Sequence, residues 1–453
     1  MTRRVFIRTL GCPKNEADSE HLRGMLERSG YKTVSDPARA DVVIVNTCSF
    51  IEASRRESVD AILDEAARRR DGQALVVAGC LVERYGEKMA DELPEVDAFM
   101  SLGSYGRTVQ VVDDALRGVK QRCFDPGKVP LELDRPAVPE GATAFLKISE
   151  GCDRVCTFCA IPAIRGPHRS RRPEAIEEEL RWLASCGVKE VILVGQDMSL
   201  YGRDLSGRWM LPALLRRLGQ VEGIRWMRML YQYPRFVDDR LLQAMADTPS
   251  AVAYLDLSLQ HASGRLLRRM KRWGDADRFL AMIGRIREVL PDAVLRSAFI
   301  VGFPGETERD VEELAAFMQE ARIDWAGFFS YSREEGTEAG AFRRGLVPRA
   351  VANRRSESLT ALQSEIAEAK RAQLVGRRVE VLVEDRSGTM VTGRTWREAP
   401  EVDGVVTVRA ARAARRGDFI EATVTETDGV DLVASAGERR AVALPVRTAA
   451  SSR

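Results

Sequence analysis

Three times within the first 130 residues, a run of apolar side chains is followed by a polar, helix-spaced stretch. RVFIRTLGC (4–12) leads into a helix expected over Ala17–Ser29, DVVIVNTC (41–48) into one over Glu52–Arg70, and ALVVAGC (74–80) into one over Val82–Glu92. Apolar runs that do not alternate belong to strands buried on both faces, so this alternation predicts a parallel sheet between helical layers. Six more strand-like runs recur up to about residue 335, again with helices between them: FLKIS (145–149), EVILVGQD (190–197), RWMRMLYQ (225–232), AYLDLSLQH (253–261), LRSAFIVGFPG (295–305) and WAGFFSYS (325–332). Six β/α repeats predict a partial barrel related to the eight-fold form. After a helical stretch over Arg349–Val375 the texture changes. VEVLVED (379–385), MVTGRTW (390–396), GVVTVRA (404–410), FIEATVTE (419–426) and DLVAS (431–435) are short alternating runs with Gly and Asp between them. Such runs predict a small antiparallel β-barrel of the oligonucleotide-binding type. The expected class is therefore α/β, with domains over 1–132, 138–372 and 373–442. The Pro-rich DRPAVPEG (134–141) marks the first boundary, and residues 443–453 are expected to form a flexible tail.

Composition narrows the function classes. A chain of 453 residues suits two or three domains, and 45% hydrophobic residues suffice for ordinary cores. A formal charge of +2 excludes a general nucleic-acid sponge. Val5–Leu10 is a strand-length run interrupted by Arg8 rather than a signal peptide, and no apolar run approaches membrane-spanning length. Eight cysteines in so long a chain do not suggest a disulfide scaffold, which predicts a cytoplasmic protein with reduced thiols.

The placement of those thiols carries the chemistry. Each of the first three strand runs ends on a cysteine: Cys12, Cys48 and Cys80. In open α/β sheets functional groups gather beyond the carboxyl ends of the strands, so three thiols at equivalent ends can converge. Burial in a core is common for cysteine but gives no reason for such regular placement. A second set follows the FLKIS run: Cys152, Cys156 and Cys159 in GCDRVCTFC. The C-x-x-x-C-x-x-C spacing offers three thiolates where a closed metal site needs four, which would leave one iron of a 4Fe–4S cluster open to another ligand. A zinc site or a simple electron-transfer cluster remains the non-catalytic alternative. Cys123 and Cys186 read as structural.

With this loop at the start of a β/α barrel, the chain resembles the radical S-adenosylmethionine (SAM) superfamily. Its three N-terminal cysteines and C-terminal small barrel make the whole chain similar to the methylthiotransferases within it. GCPKNEADSE (11–20), VNTCSFIEASRRES (45–58), AGCLVERYGE (78–87), LKISEGCDRVCTFCAIPAIRG (146–166) and REAPEVDG (397–404) resemble the branch that acts on small-subunit ribosomal protein S-twelve. The tRNA-modifying sister branch typically carries Gln-Met where Pro13-Lys14 stand. The resemblance implies two 4Fe–4S clusters, each held by three cysteines. The cluster on Cys152, Cys156 and Cys159 would cleave SAM to a 5′-deoxyadenosyl radical, and that on Cys12, Cys48 and Cys80 would hold a sulfur methylated by a second SAM. It implies methylthiolation of the β-carbon of one aspartate, an electron donor such as flavodoxin or ferredoxin, and a TRAM-like C-terminal barrel in a monomeric enzyme. Phe158 is expected to shield the first cluster. For SAM itself, the candidates are Gly195 and Gln196 in the turn after the second barrel strand, Gln260 ending the fourth, and Gly302 and Glu306 after the fifth. His261 reads as structural.

Two alternatives have other requirements. A tRNA adenosine methylthiotransferase would share both clusters but would need an RNA surface; an electron carrier or RNA-binding scaffold would need no SAM cleavage. From Arg378 to Asp431 the chain has 8 Arg and Lys against 11 Asp and Glu, a net of −3, with Trp396 and Phe419 its only aromatics. RNA binding draws on basic contacts to phosphate and on stacking platforms. This region therefore predicts docking of a basic protein and does not favour direct RNA binding, although Arg409, Arg412, Arg415 and Arg416 form a local basic run. The segment Arg165, His168, Arg169, Arg171 and Arg172 is expected to balance the charge of cluster or substrate.

Overall fold

The computed structural model describes residues 2–125, 127, 129–132, 136–409 and 414–436. The expected tail over 443–453, Asp134 and Arg135 of the Pro-rich stretch, and Arg412 lie outside the described residues. The chain divides into two compact units, Met1–Ala367 and Glu368–Arg453.

The first unit contains two parallel sheets. The first is built from β1 (Arg4–Thr9), α1 (Pro13–Arg28), β2 (Lys32–Thr33), β3 (Val42–Thr47), α2 (Glu52–Arg68), β4 (Ala74–Gly79), α3 (Cys80–Glu92), β5 (Ala98–Met100), α4 (Thr108–Leu116) and β6 (Gln121–Cys123). Its order is β2-β1-β3-β4-β5-β6, and every described pair is parallel. All positions of β3 and β4 are buried, as unalternating apolar runs require. Ile44 and Val76 pack with Leu22 and Val112 on one face, and Val43, Val45 and Val77 with Ile62 on the other. Helix α1 starts four residues before the pattern indicated. Extended Cys12 is its N-cap, and Pro13 supplies the fixed backbone angle of a first helical position.

The second sheet begins with β7 (Thr143–Lys147). Next come β8 (Ser149–Glu150), α5 (Ile161–Arg165) and β9 (Arg169–Ser170), with β8 and β9 forming a two-stranded antiparallel ribbon. Then follow α6 (Pro173–Ser185), β10 (Glu190–Val194), α7 (Arg203–Ser206), α8 (Leu211–Leu218), β11 (Trp226–Gln232), α9 (Asp239–Asp247), β12 (Ala251–Gln260), α10 (Gly264–Arg269), α11 (Ala276–Val289), β13 (Val294–Val301), α12 (Glu308–Ala321), β14 (Trp325–Ser330) and α13 (Arg349–Ala372). The order β14-β13-β12-β11-β10-β7 leaves β14 and β7 as edges of a six-stranded parallel sheet, the partial barrel expected. Its core runs from Leu146, Ile176 and Leu193 through Leu257 to Phe299, Phe317 and Leu359.

In the second unit, β15 (Arg378–Ser387), β16 (Met390–Arg394), β17 (Val406–Arg409), β18 (Phe419–Asp428) and β19 (Asp431–Ser435) close into a barrel in the order β15-β16-β17-β19-β18. Val381, Val383, Val406, Val424 and Leu432 fill it. All pairs are antiparallel except β17 with β19, which is parallel. Side-chain alternation has the same period in either direction, so the sequence pattern carried no sign of this pair.

Candidate functional site

At the carboxyl end of the first sheet, Cys12 follows β1 after Leu10-Gly11, Cys48 follows β3 directly, and Cys80 opens α3 directly after β4. Gly11 has φ +100°, and a Cβ there would stand 2.6 Å from the Cys48 Cβ and 2.8 Å from its Sγ. Only glycine lets the first cysteine loop approach the second so closely. A network of buried side chains fixes these loops. Asn15 donates to the carbonyls of Leu10 (2.7 Å) and Thr47 (3.0 Å), and Asn46 donates to that of Asn15 (3.1 Å). Ser58 Oγ accepts from the Cys48 N–H (3.0 Å) and donates to its carbonyl (2.9 Å), while Ser49 Oγ donates to the Cys80 carbonyl (3.1 Å). Burial raises the affinity of Cys48 for its proton, and burial pushes the Cys80 thiol up to about 12 despite Arg165. Charge on Cys12 raises both further, and that on Cys48 also raises Cys80, so the three thiols are electrostatic neighbours.

The second set lies between β8 and α5. Gly151, φ +78°, precedes Cys152, and a Cβ there would meet the Pro167 carbonyl oxygen at 2.0 Å. The Cys152 N–H donates to the Gly166 carbonyl (3.1 Å) and the Cys159 N–H to the Cys156 carbonyl (3.1 Å), which folds the loop on itself. Thr157 ties it to the α10 end through bonds to the carbonyls of Met270 and Arg269, both 3.1 Å. Burial pushes Cys152 up to about 11 and Cys159 up to about 12, and charge on Cys156 raises both. Phe158 is half-buried and packs against the barrel core.

N–H donors surround these sulfurs. The Arg154 N–H lies 3.4 Å from Cys152 Sγ, Arg272 Nη1 lies 3.6 Å from Cys156 Sγ, and Arg165 Nη2 lies 3.3 Å from Cys80 Sγ. The Arg154 and Arg272 guanidiniums stack on the ring of Tyr233, 4.0 Å and 4.1 Å from its centroid. Arg165 belongs to the barrel's α5, yet it reaches the N-terminal sheet. It donates to Glu150 (3.0 Å and 3.2 Å), Asn15 Oδ1 (2.9 Å) and Asp18 (3.0 Å). Lys147 joins from β7, paired with Asp18 and with Glu150 (2.9 Å). All four charged groups are buried, and the two cations hold the Glu150 carboxyl far below the usual carboxylate range. This network was not foreseen. Arg165 was singled out only in a basic run, and Asp18 and Lys147 lay inside the motifs at 11–20 and 146–166 with no role assigned to them. Of the remainder of that run, three side chains are engaged within the fold and Arg172 is exposed. His168 meets Ser170, Arg169 donates to the Val129 carbonyl, and Arg171 pairs with Glu132 and Glu179.

The SAM candidates gather at the carboxyl ends of the barrel strands with varied roles. A Cβ on Gly195 would stand 2.4 Å from Ser149 Oγ, so glycine is required for packing there. Gln196 Nε2 donates to Glu150 (2.7 Å), while its buried Oε1 has no partner. Gln260 holds a positive φ of 74°, a strained conformation for a residue with a side chain. Gly302, φ +77°, donates its N–H to Glu306 Oε2 (2.8 Å), and Glu306 also pairs with Arg355 (2.8 Å). Glu306 thus closes its own strand–helix turn. His261 is fully buried with Nδ1 accepting from the Ser263 N–H (2.9 Å), and burial lowers it to about 4. One residue escaped the reading. Gln232, at the end of β11, is completely buried, with neither its amide oxygen nor its nitrogen partnered. Cys123 is buried at the end of β6 and Cys186 is half-buried at the end of α6.

These residues fit thiolate-bound iron. Glycines at 11 and 151 bring the loops together, three arginines offer N–H groups to sulfur, and coordination removes the proton that burial holds on. Among the described residues, no three His, Cys, Asp or Glu side chains form a site for a single metal ion. Also among the described residues, no helix is long and apolar enough to cross a membrane.

Comparisons with known proteins agree with this architecture. Residues 4–101 match the uncharacterized protein family UPF0004, residues 146–318 the radical SAM superfamily, and residues 375–436 the TRAM domain. Among solved structures, the radical SAM methyltransferase TsrM from Kitasatospora setae, solved with cobalamin and a [4Fe-4S] cluster, superimposes with a TM-score of 0.53 at 14% identity, covering 75% of this chain and 77% of that one. At that identity it bears on the fold alone. A parallel partial barrel opening on a three-cysteine loop, within a radical SAM match, defines a protein of the radical SAM class. Proteins named ribosomal protein uS12 methylthiotransferase RimO match far more closely. That from Symbiobacterium thermophilum is 44% identical over 95% of this chain and 90% of its own. That from Moorella thermoacetica is 46% identical over 90% and 93%, and that from Thermotoga maritima 43% over 95% and 99%. The chain belongs to the RimO family of methylthiotransferases.

Proposed function

We propose that the protein is a radical SAM methylthiotransferase that adds a methylthio group to the β-carbon of an aspartate in ribosomal protein uS12. The observation that carries this reading is the pair of three-thiol sets at the carboxyl ends of two parallel sheets, with Arg165 of the barrel's α5 reaching Cys80 of the first set. Cys152, Cys156 and Cys159 would hold one 4Fe–4S cluster, and Cys12, Cys48 and Cys80 a second. When bound, the clusters and SAM supply one-electron cleavage of a sulfonium bond and a methylated sulfur for transfer, chemistry beyond acid–base side chains.

The chain's own residues bind, orient and shield. Arg154, Arg272 and Arg165 direct N–H groups at sulfur, which favours an anionic cluster over bare thiols. Phe158 limits water at the barrel loop. The unpartnered Gln196 Oε1 is an acceptor for the methionine end of SAM, and Gln260 and Gly302 hold left-handed backbone turns at neighbouring strand ends. Gly195 and Glu306 shape the same rim from within. The acidic C-terminal barrel favours a basic ribosomal protein over tRNA. We further infer three functional domains (1–132, 138–372 and 373–442), a monomer in the cytoplasm, and reduction by a flavodoxin or ferredoxin.

Mass spectrometry of ribosomal proteins and of tRNA from a deletion strain tests the reading. Loss of a methylthio mass from uS12 is expected; loss from tRNA alone would remove uS12 as the substrate.

A further inference from the structure

Lys14 is a buried cation without an acid of its own. It follows Cys12 by two residues in the first turn of α1, it is 8% exposed, and none of the described carboxylates forms an ion pair with it. Its Nζ instead lies over the ring of Tyr231, 3.6 Å from the centroid. Cys12 attracts it most, and Glu150 adds to this from further away, but that carboxylate is already taken by Lys147, Arg165 and Gln196. Burying an ammonium away from a carboxylate is costly, and a ring face offsets only part of the cost.

The platform beneath Lys14 is held in place. Tyr231 adopts φ +61°, a strained conformation, and its N–H donates to Asp256 Oδ2 (3.1 Å), whose other oxygen accepts from Arg296 (3.2 Å). The next residue on the same strand end is Gln232, whose buried amide has no partner. Lys14 comes from the sheet that ends in Cys12, Cys48 and Cys80, and Tyr231 from the barrel that carries Cys152, Cys156 and Cys159. The ammonium therefore stands where the ends of the two sheets meet.

We propose that Lys14 is the specificity-determining residue that binds the carboxylate of the target aspartate. The inference rests on the substrate proposed above and goes beyond it to the group that recognises the reacting side chain. In aspartate the β-carbon is bonded directly to the carboxylate carbon, so anchoring the carboxylate on Lys14 also places the carbon to be modified. The incoming carboxylate accepts from the ammonium, which pairs with none of the described carboxylates, while the Tyr231 ring packs against its other side.

The test uses the full-length protein with both clusters reconstituted and two peptides from uS12, one with the target aspartate and one with asparagine in its place. The unmodified enzyme is expected to bind the aspartate peptide about tenfold or more tightly, the scale of a charge-assisted hydrogen bond in a buried site. Lys14→Met should abolish that preference and Lys14→Arg should retain part of it, with iron and sulfide content unchanged in both. Equal binding of the two peptides by the unmodified enzyme overturns the inference, and this arm needs no variant. A Lys14→Met enzyme that keeps the preference overturns it too, as does one that alters the cluster spectrum while the preference survives. If the unmodified enzyme neither binds nor modifies either peptide, the uS12 reading fails with it. Modification of uS12 without charge preference removes Lys14 alone.

Discussion

Arg165 does several jobs through one planar group. Its guanidinium serves Glu150 with one nitrogen and Asn15, Asp18 and Cys80 with the other, which a lysine ammonium could not reproduce in that geometry. Removing it would leave Asp18 and Glu150 buried with Lys147 as their main cation. Loss of one partner from a buried pair costs about 3–5 kcal/mol, and Lys147 places the expected value near the lower end. We expect Arg165→Ala to lower the melting temperature of the apoprotein, and Arg165→Lys to recover only part of it. Thermal unfolding monitored by circular dichroism measures both. Glycine at 11 belongs to the same scale, because no side chain fits against Cys48 at that φ.

Strand ends are where these elements concentrate their chemistry. The two cysteine sets sit on different sheets, so they should be separable. Cys12, Cys48 and Cys80 changed together to alanine should remove one cluster's worth of iron and sulfide yet leave reductive formation of 5′-deoxyadenosine from SAM. The same change at Cys152, Cys156 and Cys159 should abolish that formation while the other cluster's iron remains. Iron assay and chromatography of the nucleoside decide it, and retention of full iron by either triple variant would overturn the assignment. The β12–α10 corner makes a pH prediction. Burial holds His261 near 4 in the fold against 6.5 for an ordinary histidine. Between those values only the unfolded chain takes up the proton, so this stabilisation is complete above about pH 6.5 and falls as pH drops toward 4. The change amounts to at most about 3 kcal/mol. The urea midpoint should fall as pH drops across that range, and His261→Gln should flatten the dependence.

For the whole molecule, charge distribution bears on substrate choice. The C-terminal barrel combines an acidic excess with arginines that are partly spoken for: Arg409 pairs with Glu426, and Arg394 with Glu384. We expect uS12 binding to weaken as salt rises, because exposed complementary charges are screened within about 10 Å at 0.1 M. Pull-downs whose yield is unchanged at high salt would speak against this docking role. The strand runs, and the positions of the cysteines relative to them, were legible because they rest on local periodicity and spacing, which neighbouring residues impose on each other. Helix α1 began early because one proline outweighed the apolar pattern. The β17–β19 pair ran parallel because strand direction leaves no trace in alternation. What the chain determined by itself was where strands stop and which thiols stand at their ends. Only the tertiary structure decided that Arg165 would reach a cysteine 85 residues away, that Glu306 would turn inward, and that Lys14 would be buried over a tyrosine ring, paired with none of the described carboxylates. Those outcomes depend on which distant surfaces are packed together, and burial, unlike periodicity, is a property of the assembled fold.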